Sequence, residues 1–153
     1  FVGVSKTGVI TSDYDTLSAR ISYVHDVAGA HGSYVVQPSI DYGTPLSTKA
    51  FIGASVSANI VGRGYARYYF DVTPAGALAS GLPVYTTDEG GLKDVNVTLL
   101  GMHSLTGDLR HGLAAVAVAS YGRMVGDFRR SPLVAVAGDR NQWLGGLGLA
   151  YSF

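Results

Sequence analysis

Along most of this chain apolar and polar residues alternate with the two-residue period of a β-strand rather than the 3.6-residue period of a helix. The pattern is cleanest over residues 141–153. One face there reads Trp143, Gly145, Leu147, Leu149, Tyr151, Phe153, and the other Gln142, Leu144, Gly146, Gly148, Ala150, Ser152. Residues 16–25 repeat it, with Leu17, Ala19, Ile21 and Tyr23 against Ser18, Arg20 and Ser22. In residues 33–42, Tyr34, Val36, Pro38, Ile40 and Tyr42 oppose Val35, Gln37, Ser39 and Asp41. Residues 50–60 set Ala50, Ile52, Ala54, Val56, Ala58 and Ile60 against Phe51, Gly53, Ser55, Ser57 and Asn59. Residues 92–103 set Val95, Val97 and Leu99 against Asp94, Asn96 and Thr98. Residues 1–11 alternate loosely, and 110–122 is a strand whose facing stays open because Ala and Val occupy both faces. Pro38 is discordant, since a mid-strand proline removes a ladder hydrogen bond; a bulge or a shifted register is expected there.

The breaks between these runs differ in length. Residues 43–47, Gly-Thr-Pro-Leu-Ser, read as a tight turn, and 104–108 as a short one. Residues 26–32, 61–91 and 123–139 read as longer loops. With the chain end placed on the periplasmic side, short and long connections alternate as they do in outer-membrane barrels, which have short periplasmic turns and longer extracellular loops. About seven strands result. Trp143 and Tyr151 are eight positions apart, as are Tyr34 and Tyr42. That is roughly 27 Å along a strand, or about 21 Å after a tilt of about 40°, close to the apolar band between aromatic girdles. Tyr34, Tyr42, Trp143, Tyr151 and Phe153 are therefore the candidate lipid-facing girdle.

Composition supports an all-β, transmembrane, antiparallel up-and-down barrel of the bacterial outer membrane. Charged residues are 14% against 47% apolar, where soluble domains carry about 25% charged. No run approaches the roughly 20 apolar residues of a transmembrane helix. A soluble glycine-rich β-sandwich is the alternative. Formal net charge is zero, which leaves no basic footprint for nucleic acid. The absence of Cys excludes disulfide and thiolate-metal frameworks. Residues 1–153 form one domain with no reason for two. The start at Phe1 without Met, and an odd strand number where bacterial barrels have even ones, lead us to expect the C-terminal portion of a larger barrel.

Several stretches, in order, resemble the MipA/OmpV family of Gram-negative outer-membrane proteins (MltA-interacting protein and relatives). They are Tyr68-Tyr69-Phe70-Asp71-Val72-Thr73-Pro74, Ser80-Gly81-Leu82-Pro83-Val84-Tyr85, Gly90-Gly91-Leu92-Lys93-Asp94-Val95, Ser131-Pro132-Leu133-Val134, Asp139-Arg140-Asn141-Gln142 and the terminal Gly146-Leu147-Gly148-Leu149-Ala150-Tyr151-Ser152-Phe153. The resemblance is best over 65–153 and looser over 15–60. It implies an outer-membrane barrel without known catalysis, whose best-described member is a scaffold joining a lytic murein transglycosylase to a bifunctional murein synthase. The expected function is such a scaffold for peptidoglycan-remodelling proteins; the alternative is a small-solute pore gated by the long loops.

Candidate chemistry is sparse. His25, Asp26, His31 and Ser33 gather around one predicted loop, and a hydrolase site would need them within hydrogen-bond reach. Solvated loop histidines are the plainer expectation. His103 and His111 flank a turn without a third metal ligand. No catalytic residue, cofactor or metal is therefore expected. Arg63, Arg67, Tyr69, Phe70, Pro83, Lys93, Arg129 and Arg140 mark the loop and lumen rim. Charges there could form a selectivity constriction, anchor loops folded over the lumen through ion pairs, or contact lipopolysaccharide phosphates. Expected partners are outer-membrane lipid and lipopolysaccharide, and murein transglycosylase and synthase proteins.

Overall fold

The computed structural model describes residues 1–153. Seven strands, β1 (Val2–Thr7), β2 (Thr16–His25), β3 (Tyr34–Ser47), β4 (Ala50–Val61), β5 (Gly91–Ser104), β6 (Gly112–Met124) and β7 (Asn141–Ser152), form one sheet in sequence order. Every neighbouring pair is antiparallel. This is an up-and-down barrel-type sheet, and no helix is long and apolar enough to cross a membrane. Because the seven strands alternate in direction, β1 and β7 run the same way, each paired along one edge only.

The registers sort every side chain onto one of two faces. Ile21, Tyr23, Ile40, Ile52, Val56, Val97, Leu99, Trp143, Leu147, Leu149 and Tyr151 share the outer face and are exposed. On the inner face, Ser5, Ser18, Asp41, Ser55, Thr98 and Ser120 stand side by side across six strands. The next row holds Arg20, Ser39, Ser57, Asn96, Gly122 and Gln142. The facing of β6, open in the sequence, is settled by its partners: Ala115, Ala117, Ala119 and Tyr121 point outward, and Val116, Val118, Ser120 and Gly122 inward.

Two expectations are corrected. Residues 43–47 are strand, not turn; the reversal is made by Thr48 and Lys49, with the Lys49 N–H donating to Ser47 Oγ at 3.1 Å. Gly43 is there for space: it stands opposite Gly53, and a Cβ on it would lie 2.6 Å from Phe51 Cζ. Pro45 sits at a register shift between Pro45 and Ser47, where its missing N–H is tolerated. Pro38 causes no bulge. It pairs with Ile21 on one side, while the ladder to β4 skips residues 37 and 38 and resumes at Ser39↔Ser57 in unchanged register.

Two connections contain helices. Between β4 and β5 lie α1 (Arg63–Phe70) and α2 (Pro74–Ser80). Thr73 caps α2 by accepting the Gly76 N–H, Pro74 occupies its first turn, and Gly81 ends it at φ 74° in the left-handed region. Between β6 and β7, a 3-10 turn (Phe128–Arg130) leads into α3 (Pro132–Ala135).

Candidate functional site

Only 18 of 153 residues are buried, and the apolar core lies at the end of the sheet rather than across its faces. Val61, Ala66, Phe70, Phe128 and Val134 pack together, with Val35, Tyr65 and Met124 against them. The core thus joins strand ends to both helical connections. The Phe70 and Phe128 rings meet edge to face at 5.0 Å. Ser131 Oγ donates to the Phe70 carbonyl at 2.6 Å, and Tyr85 Oη to the Asp127 carbonyl at 2.8 Å. Thr87, fully buried, donates its N–H to Asp71 Oδ1 at 2.6 Å and its hydroxyl to both Asp71 and the Ala66 carbonyl. These bonds satisfy the polar groups that the cap buries.

A bulge feeds the cap. The β4–β5 register passes from Asn59↔Asp94 to Ile60↔Leu92, so Lys93 is the extra residue. Its ammonium sits 2.8 Å from Asp94 Oδ2 and 5.6 Å from the centre of the Tyr65 ring. Asn59 and Asn96 each donate to Asp94 Oδ1 at 2.7 Å. A closed polar knot results directly beneath α1.

The β2–β3 connection joins the same assembly. Asp26 accepts the N–H groups of Ala28, Gly29, His31 and Gly32. Those donors hold its carboxyl down at about 2 against an ordinary 3.8. The His31 ring lies among Tyr65, Tyr68 and Tyr69, at 5.3, 6.1 and 5.8 Å between centroids. Its Nδ1 accepts the Ser33 backbone N–H at 3.1 Å. The Ser33 hydroxyl lies instead towards Gly62, and His25 Nδ1 bonds the Asp26 carbonyl at 3.1 Å. The geometry a serine nucleophile and its base require is therefore not assembled by these four residues.

At the opposite end the turns also lock together. The Leu109 N–H donates to the Thr48 carbonyl at 2.9 Å, and the Ser104 N–H to the Lys49 carbonyl at 2.7 Å. Asp15 gathers the N–H groups of Val9, Ile10 and Thr11 and the Tyr42 hydroxyl, which hold its carboxyl well below the usual range. Asp108, paired with Arg110 at 2.7 Å, is likewise lowered to about 2. Between these turns lies a groove of ≈ 590 Å³ lined by Tyr14, Pro45, Leu46, Phe51, Asp108, Leu109 and Arg110 among others. The sequence places 43–47 and 104–110 at this same end, and both line the groove; what it gives no sign of is that Tyr14 and Phe51 join them.

The candidate girdle residues fall at both ends of the outer face. Tyr34 stacks on Tyr23 at 5.9 Å, and Trp143 packs on Tyr121 at 4.5 Å, at the end that carries the cap. Tyr42, Tyr151 and Phe153 lie at the turn end. Sequence reasoning missed Tyr121 because the facing of β6 was unsettled. The rim set divides. Phe70 is core, Lys93 is in the polar knot, and Tyr69 is in the His31 cluster. Pro83, Arg63, Arg67, Arg129 and Arg140 are exposed. The ion pairs of the molecule involve Arg20, Lys93, Arg110 and Arg130, none of those four arginines. The long loops are held by apolar packing and hydrogen bonds to carbonyl groups, with one arginine ion pair, Arg130–Asp127 at 3.4 Å, inside the second of them.

The family model described as MltA-interacting protein MipA matches residues 1–153, the whole chain. No curated protein and no solved structure matches it.

Proposed function

Since the chain belongs to the MipA family of MltA-interacting proteins, we propose that it is a non-enzymatic outer-membrane barrel protein that holds a murein transglycosylase at its turn end. In this reading residues 1–153 are the C-terminal portion of a larger barrel. The capped end faces outward, towards lipopolysaccharide, and the short turns face the periplasm. Trp143, Tyr121, Tyr34, Tyr42, Tyr151 and Phe153 mark the two lipid interfaces.

The observation that carries the reading is the groove between the turns. Exposed Tyr14 and Leu46, together with Leu109, give apolar anchors. The Asp108–Arg110 pair adds a polar edge, and cross-turn hydrogen bonds hold the surface in one shape. Aromatic anchors in a preformed depression are how small interfaces concentrate binding energy. Immobilised protein should retain the transglycosylase from solution. Tyr14→Asp combined with Leu46→Asp should lower retention at least tenfold with folding intact, and equal retention by the double variant would count against the reading.

A second reading, a small-solute pore gated by the long loops, draws on the polar inner wall. The shared core of the cap favours a closed gate. Bilayer conductance should then rise when residues 63–89 are replaced by a short linker, and conductance equal to that of the parent protein would argue against gating.

A further inference from the structure

The inner wall carries more than generic polarity. Ser5, Ser18, Asp41, Ser55, Thr98 and Ser120 form one row of hydroxyls interrupted by a single carboxylate. Ser18 Oγ donates to Ser5 Oγ at 3.0 Å, and Thr98 and Ser120 bond each other at 2.9 Å. Asp41 accepts Ser55 Oγ at 2.6 Å and Ser39 Oγ at 3.0 Å, with Arg20 Nη2 at 3.6 Å. Arg20 and Asp41 nevertheless remain 49% and 35% exposed at their side chains, so each keeps unused hydrogen-bonding capacity.

Two cavities adjoin at this row. One, of ≈ 470 Å³, is lined by Ser5, Ser18, Arg20 and Asp41 among others. The other, of ≈ 380 Å³, is lined by Ser18, Asp41, Ser55 and Thr98, with Phe51 and Leu100 along its lower side. They share Ser18 and Asp41, which makes them one continuous trough. Both fall in the range of roughly 300–1,000 Å³ typical of small-molecule sites. Glycines 43 and 53 keep the floor low, and the Phe51 ring lies against Gly43.

We propose that this trough is a subsite for neutral oligosaccharides. The inference rests on the barrel reading above, because it takes this face to be the lumen, but not on the transglycosylase. A cation would meet Arg20, and an anion would meet Asp41; the adjacent pair is suited to an uncharged ligand with many hydroxyls. A sugar ring presents hydroxyls at its edge and C–H groups on its faces. The edge would meet Asp41, Arg20, Ser18, Ser55 and Thr98, and a face would lie on Phe51 and Leu100. From β2 to β5 is three strand spacings, about 14 Å, the span of two to three sugar rings.

The test uses the full-length protein in a detergent without a sugar headgroup, such as lauryldimethylamine oxide. Equilibrium dialysis against radiolabelled maltotriose should show saturable binding. Asp41→Asn and Phe51→Leu should each weaken it at least tenfold, and the outer-face variant Leu147→Ala should leave it unchanged. Heat-modifiable gel mobility confirms folding in each case, and Phe51→Leu stands as the second probe should Asp41→Asn fail to fold. No saturable binding by folded parent protein overturns the proposal, as does equal binding by the folded variants. Transglycosylase capture, measured on the same preparations, separates the two ideas: retained capture without sugar binding removes the subsite alone.

Discussion

The strand wall and the helical cap are built by opposite rules within one chain. The wall hides almost nothing: Leu147 on its outer face is 91% exposed, and its order comes from antiparallel ladders. The cap is assembled like a small water-soluble domain, with Phe70 and Phe128 buried, α2 capped by Thr73, and interior polar groups bonded. The difference teaches what surrounds each part. A wall with apolar side chains outward and hydroxyls inward suits lipid on one side and water on the other. The cap, buried side chains inward, suits water all round.

The sharpest way to break the comparison is to hollow the cap. Phe128→Ala or Phe70→Ala removes a ring from the shared core and should cost about 3–5 kcal/mol locally. Trypsin should then cut at Arg67, Arg129 or Arg130, while heat-modifiable mobility still reports a folded wall. The converse change is Leu147→Arg on the outer face, expected to cost about 2–4 kcal/mol near the membrane midplane. Folding yield into liposomes should fall with the cap still protected from protease. Gly148→Ser, facing inward with open space around its Cβ position, should be nearly neutral in the same assay. Thr73→Ala removes the α2 cap bond and should cost about 1 kcal/mol, seen as faster amide exchange at Gly76 alone.

Acid gives the mildest probe. The Asp26 carboxyl sits at about 2, below its ordinary 3.8. A carboxylate lowered on folding stabilises fully above its ordinary value and loses that contribution as pH falls through the folded one. Amides of Ala28, Gly29, His31 and Gly32 should therefore stay protected at pH 4 and lose protection near pH 2. Protection already lost at pH 4 would show that those four bonds do not hold the loop.

Much of the wall was legible because strand alternation is a local signal. Residues 16–25 and 50–60 could be assigned face by face from identity alone. β6 could not, since Ala115 and Val116 are equally apolar, and only pairing with His103 and Met102 decides which looks outward. Residues 43–47 misled because Gly43 and Pro45 carry turn chemistry for other reasons: Gly43 yields to the Phe51 ring, and Pro45 sits at a register shift. Of the candidate site, the rim arginines were visible as charges, but the interaction that fixes the cap was not. Phe70 and Phe128 meet across two intervening strands, and no spacing rule links them. Part of the turn-end groove stayed hidden for the same reason: Tyr14, from the β1–β2 connection, meets Leu46 near the end of β3 and Leu109 from the β5–β6 connection.

The Ser131–Phe70 hydrogen bond spans 61 positions of sequence, and this has a consequence in time. α1 cannot bury Phe70 when it emerges, because the ring it packs on lies beyond β5 and β6. Contacts so distant form only after the intervening segments have closed up. The cap is therefore a late event, completed once β5 and β6 stand side by side. A chain stalled before that point would display Phe70 and Val61 uncovered, and protease sensitivity in residues 63–70 would count unfinished molecules.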